Sequence, residues 1–178
     1  MDDGMDSIIY PVCVIAQKHR IWFAWRSVDQ PECALLKWLG AVLWAHEKSV
    51  LIERISRLGD QFCFEDGGVF DMDSALIELA AGNVARSDEL MNCWNMLIDI
   101  RGSLSRDMVV GFSLNDGRLL RSYERFFSWT SGGSAVGGGL SELGGEDIAN
   151  AIEAISNGMT MVLAFVDGDG AAKRGALS

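Results

Sequence analysis

Four carboxylates crowd into one short stretch, Glu65, Asp66, Asp71 and Asp73, around the glycine pair Gly67-Gly68. Oxygen ligands at such density are what a hard divalent cation requires. Turned outward, the same charges suit the capture of an arginine- or lysine-rich protein. Asp71 and Asp73 are also of the type that closes turns and caps helices. The protein contact ranks above the cation, and no metal or cofactor is assigned.

Other residues able to do chemistry are few. The chain has two histidines, His19 and His46, and four cysteines, Cys13, Cys33, Cys63 and Cys93. The cysteines include no short pair of the kind zinc sites use. His46 falls on the apolar side of an expected helix, where an imidazole donates one hydrogen bond and needs no further role. His19 falls in a turn. The glycine-rich stretch at 131–145 lacks the lysine and hydroxyl of a phosphate loop and the spacing of a dinucleotide turn. Asp167-Gly168-Asp169-Gly170 starts like a calcium loop, but Ala171 and Ser178 occupy later ligand positions. No catalytic set is assigned. Were the chain an enzyme, Glu65, Asp71 and Tyr123 would be the residues to test, with the glycine stretch as a lid.

Composition points the same way. The 178 residues carry 25 acids against 15 bases, a net charge of −10. Phosphates would be repelled, which argues against nucleic acid and anionic membrane and for a basic protein partner. Hydrophobic residues make up 49 %, as in a globular chain rather than a disordered one. The acidic start MDDGMDS has no basic region of a signal peptide. No apolar run of about 20 residues is evident. The expected location is the cytoplasm, with the thiols free.

The elements that must position these groups follow from pattern and punctuation. Residues 8–16 and 21–26 are rich in β-branched and aromatic side chains and read as a hairpin. Residues 31–48 read as a helix with Leu35, Trp38, Leu39, Val42 and Leu43 on one face. Trp44 falls on the opposite face, which is either covered by a second packed layer or leaves Trp44 an exposed, candidate partner-binding aromatic. A short helix is expected over 49–58, stopped at Gly59. The acidic stretch, 61–72, reads as a hairpin turning at Asp66-Gly67-Gly68. Asp73 is expected to cap a helix to Gly82, and Ser87 a longer one to Arg101. In the latter Leu90, Trp94, Leu97 and Ile98 face inward while Asn92, Asn95 and Asp99 lie on the wet side. Residues 108–114 read as a strand, and 118–129 suit either a strand or a helix. A helix over 147–157 is expected to stop at Asn157-Gly158, before a buried strand over 159–166.

Hairpins with helices between them define an α+β fold: one domain, a largely antiparallel sheet, and helices packed on it. The domain spans 7–166, with a disordered acidic tip at 1–6, a flexible loop at 131–145 and a flexible tail at 167–178. A stoichiometric protein-binding inhibitor or adaptor is the expected function. A bacterial immunity protein that masks a toxin or effector with an acidic surface is the type of molecule meant. The alternative is a carboxylate-based hydrolase or transferase. The residues expected to meet the partner are Glu65, Asp66, Asp71, Asp73 and Trp44.

Overall fold

Ten residues, Ser7–Ala16, rich in isoleucine and valine, take the extended form that β-branched side chains favour. This strand, β1 (Ser7–Ala16), organises everything else. A computed structural model describes residues 7–26, 35–59, 62–83, 87–104, 116–130 and 143–175. β2 (His19–Arg26) runs back along β1 in antiparallel register, from Ala16↔His19 to Ile9↔Arg26. The two-residue turn puts Gln17 and Lys18 at φ 48° and 67°, the left-handed pair that a tight hairpin demands. Asp73 holds it closed: its carboxylate accepts from Gln17 N at 2.8 Å and Lys18 N at 2.7 Å.

The other edge of β1 is occupied by parallel strands. β6 (Phe62–Phe64) pairs with residues 7–9 and β7 (Val69–Asp71) with residues 13–15. The sheet is therefore mixed, and the expected hairpin over 61–72 is replaced by one segment that follows β1 with a break in the middle. The break has a cause. On this edge Glu65 N donates to Ile9 O and Cys13 N donates to Gly68 O, both at 3.0 Å. By alternation the next donor on that edge belongs to residue 11, which is proline and has none. Residues 65–68 accordingly leave the ladder. Gly67 passes so close to Pro11 that a Cβ there would lie 2.2 Å from the Pro11 carbonyl oxygen.

The outer edge of β2 is covered by residues that the sequence pattern assigned to a helix. Leu35 bridges Trp25, and β3 (Lys37–Trp38) and β4 (Ala41–Val42) form a small separate hairpin before β5 (Trp44–Ala45) pairs with β2. Leu36 N donates to Ala24 O at 2.7 Å and Ala24 N to Leu43 O at 3.3 Å. An unpaired edge offers a row of backbone partners, and satisfying it outweighs the weak helical preference of the segment. Gly40, at φ 83°, makes the turn.

Two layers of helix cover the sheet. α1 (Lys48–Ser56) places Leu51 and Ile55 against Ile9, Ala24, Leu36 and Ala45 on one face. The other face of the sheet, with Val12, Val14, Ile21 and Phe23, packs on α2 (Met72–Ala80), α3 (Ser87–Ser103), α4 (Gly117–Thr130) and α5 (Gly145–Gly175). The architecture is α+β, one compact domain. Residues 118–129 belong to α4, a helix, whose face Leu119, Ser122 and Phe126 is buried. The expected strand over 108–114, the tip at 1–6 and most of the glycine stretch, 131–142, lie outside the described residues.

α5 corrects the sequence reading most sharply. It runs unbroken through Asn157-Gly158, through the expected strand and into the expected tail. Gly158 is a notch and not a stop: a Cβ there would fall 2.4 Å from Leu97 Cδ1 of α3. The span Gly145–Gly168 is long and apolar enough to cross a bilayer, yet half of its most apolar window is buried against the rest of the protein. A glycine inside a helix ordinarily costs about 1 kcal/mol relative to alanine. Here the order should invert. Gly158→Ala is expected to destabilise the fold by about 1–3 kcal/mol through overpacking, with most of the loss recovered in Gly158→Ala/Leu97→Val. Denaturant melts of the two variants test this; a stabilised single variant would show that α3 and α5 can part without cost.

Candidate functional site

The bowed segment 65–68 and the cross-strand neighbours Tyr10 and Trp25 frame a depression of about 260 Å³. Tyr10 and Trp25 are paired in register on the helix-facing side of the sheet, their rings 5.5 Å apart and tilted by 58°. Opposite them α3 presents Asn92, Asn95, Met96 and Asp99, positions i, i+3, i+4 and i+7 that share one helical stripe. Asn92, Asn95 and Asp99 are the side chains that periodicity assigned to the wet side of α3. They do face water, but from inside a cleft.

Asp99 is the chemically distinctive member. Burial pushes its pKa up from 3.8, opposed only by the indole N–H of Trp25. That N–H is itself buried, and although it points at Asp99 closely enough to favour the anion, the two do not align into a hydrogen bond. No lysine or arginine among the described residues is paired with Asp99. Around it, Tyr10 is raised in pKa by the neighbouring Glu65 carboxylate and then by burial. Tyr123 is raised by burial and by the negative charge of Asp99. The Tyr123 hydroxyl donates to Asn95 Oδ1 at 2.7 Å, which fixes the amide at the wall of the cleft.

α4 is held in place for that task by a buried polar cluster. Asp147, in the first turn of α5, accepts from Ser122 Oγ at 2.9 Å, from Arg125 Nη1 at 2.9 Å and from Gly144 N at 3.1 Å. Asp147 N in turn donates to Gly144 O, a reciprocal cap. Burial works to raise the Asp147 pKa, but these donors outweigh it and leave the carboxyl below its usual range. Asn150 Nδ2 donates to Ser122 Oγ at 3.0 Å. Ser122 is thus fully engaged in structure and is not a nucleophile open to a substrate.

The four acids singled out by sequence do not act together. Asp71 caps α2, accepting from Ser74 N and Ser74 Oγ at 2.9 Å each. Asp73 clamps the β1–β2 turn and is not the cap expected of it. Glu65 and Asp66 remain on the exposed rim of the cleft, Glu65 beside Tyr10 and Asp66 paired at 2.9 Å with Lys48, whose ammonium also lies over the Trp22 ring. Trp44, on a face expected to be either packed or open, is buried in the core against Phe165 of α5, in a segment that is strand and not helix. His46 is exposed and meets the Trp44 ring edge-on at 5.1 Å. Of the enzyme candidates, Asp71 is occupied as a cap, while Glu65 and Tyr123 each contact a residue that lines the cleft, Tyr10 and Asn95 respectively.

Beyond Phe70 lies a second depression of about 430 Å³, between β7, α2 and α3, lined by Asp71, Glu78, Glu89 and Cys93 among others. The Cys93 thiol is pushed up to about 12, by burial first and then by Asp71 and Glu89, so it stays protonated near neutral pH. Cys13 and Cys93 are free, buried thiols. Among the described residues no group of three histidine, cysteine or acidic side chains is disposed to hold a metal. Comparison with known proteins finds no significant match to a family model, a curated protein or a solved structure, so the functional reading rests on the site.

Two outcomes follow for the acids. Asp73→Ala should cost about 1–3 kcal/mol, since two backbone donors lose a charged acceptor, whereas Glu65→Ala should leave denaturant melts nearly unchanged. Equal losses would mean that Glu65 is as structural as Asp73. Asp99 should behave in the reverse sense. Its raised pKa means that ionisation opposes folding, a cost absent below about pH 3.8 that grows until pH passes the folded-state value and then stays constant. Asp99→Asn should therefore be more stable than the native chain at pH 7 and no more stable at pH 3. A difference that ignores pH would mean Asp99 is as well solvated as a surface carboxylate.

Proposed function

We propose that the protein is a stoichiometric protein-binding inhibitor or adaptor acting in the cytoplasm on a basic partner, in the manner of a bacterial immunity protein that masks a toxin or effector. The observation that carries this reading is the acidic, aromatic-walled cleft, with Asp66 on its rim, Glu65 beside Tyr10, and inside it an Asp99 that no described lysine or arginine pairs with. A net charge of −10 adds a long-range field that steers a basic molecule towards it. Rim charges mainly raise the on-rate, while the buried carboxylate and the aromatic pair supply the contacts that hold. The exposed Trp38 and Leu39, at the tip of the β3–β4 hairpin, offer further apolar area for a partner.

A second reading is favoured by one observation. A concave site with a half-buried carboxylate of raised pKa, near two tyrosines, is the setting in which acid–base catalysis is found. The lining works against it. Among the described residues no histidine, serine, threonine, cysteine or lysine lines the smaller cleft to serve as a nucleophile that Asp99 could activate.

The two readings separate by experiment. A pull-down from the native host supplies the partner, and stopped-flow mixing at two ionic strengths measures association. Glu65→Lys/Asp66→Lys should slow association at least about tenfold at low salt, and salt should slow the native pair and narrow the gap. Asp71 and Asp73 stay untouched, so the fold is preserved. An on-rate indifferent to both salt and charge reversal would sink the electrostatic binder and bring the catalytic reading forward.

A further inference from the structure

We propose that the Tyr10–Trp25–Asp99 cleft is the receptor for one arginine side chain of the protein partner, its guanidinium seated between the aromatic pair and the Asp99 carboxylate. The inference rests on the protein-binding reading above and names the contact that would give it specificity.

Size is the first argument. At about 260 Å³ the cleft falls short of the roughly 300–1,000 Å³ typical of sites for whole drug-sized ligands. It has room for a side chain. Charge is the second. No described lysine or arginine pairs with Asp99, and a half-buried carboxylate in that position gains from a cation delivered from outside. The third is the wall. The faces of tyrosine and tryptophan attract cations, and Tyr10 and Trp25 meet at the same end of the sheet as Asp99.

Guanidinium fits these features better than ammonium does. It is planar and weakly hydrated, stacks on aromatic rings, and presents a fork of donors to a carboxylate. The amide of Asn92 and the carboxylate of Asp66 line the same cleft and can meet donors that Asp99 does not take. Lys48 already rests its ammonium over Trp22 and on Asp66 from the opposite face of the sheet, so the rim accommodates a cation outside the cleft. The segment 65–68 that shapes the mouth exists because Pro11 interrupts the ladder, and Gly67 there tolerates no side chain.

The test uses the full chain with isotopic labelling and three small molecules: acetyl-Gly-Arg-Gly-amide, the same peptide with citrulline, and methylguanidine. Citrulline keeps the shape and loses the charge. The arginine peptide should shift the Trp25 indole N–H and the Asn92 and Asn95 amide signals saturably. The citrulline peptide should bind at least tenfold more weakly, and methylguanidine more weakly than the arginine peptide. Asp99→Asn should weaken the arginine peptide at least tenfold, while Glu78→Gln, in the neighbouring depression, should leave it unchanged. Equal binding of citrulline, no effect of Asp99→Asn, or tighter binding of methylguanidine would overturn the proposal. The two readings can fail separately. A native partner that binds Asp99→Asn as tightly as the native chain removes the arginine receptor and leaves the binder standing. Arginine-peptide binding through Asp99 with no protein captured from the host removes the binder and leaves a guanidinium site.

Discussion

One missing hydrogen-bond donor governs the arrangement of this protein. Strand β1 serves two edges, and along one of them Pro11 cannot contribute its turn to the ladder. The neighbouring segment therefore pairs before it as β6, leaves, and pairs after it as β7. What lies between is neither strand nor free loop, because Ile9 O and Gly68 O still anchor its two ends. A continuous strand would have paired residues 65–68 along β1 and drawn Glu65 and Asp66 into alternation across the sheet. The break instead lifts them onto the lip of a cleft, and the β7 end delivers Asp71 directly into the cap of α2.

Close approach of helices is the second condition for the site. Gly158 lets α5 approach Leu97 of α3, and the Asp147 cluster fixes α4 on α5. α3 is thus gripped from two sides, with Trp94 edge-on to Tyr123 at 5.5 Å. A helix held this way can present a polar stripe to the sheet at a fixed distance without packing it shut. The price is a carboxylate kept in a setting that favours its neutral form.

Much of this was legible in the sequence, and the failures share a physical origin. The β1–β2 hairpin, α1, α2 and α3 follow from local pattern and punctuation, because each is stabilised largely by residues near in the chain. Residues 35–45 carry a helical apolar period and one glycine, yet the open edge of β2 takes them as strands. Residues 61–72 look like a hairpin because Asp66-Gly67-Gly68 is a good turn, but β1 offers both arms a better partner. Asn157-Gly158 has the form of a helix stop, and only the position of Leu97 in space reveals a notch. The site was visible in pieces. Glu65 and Asp66 stood out by charge, and Asn92, Asn95 and Asp99 as a polar stripe. Nothing local showed that Tyr10 and Trp25 would stand opposite them, since that depends on hairpin register and on helix packing together. Trp44 was misplaced for the same reason as its segment.

The order of elements along the chain also has a consequence for synthesis on the ribosome. The β1–β2 hairpin is local and can form as soon as it emerges, but its helix-facing side, with Val12, Val14 and Phe23, waits for helices that come much later. α5 is the last element to appear and packs on α2, α3, α4 and β1. Until then a nascent chain carries an apolar sheet face, which attracts other unfolded chains. The acidic character of the whole chain counteracts that hazard, because like-charged nascent chains repel one another before the last helix arrives.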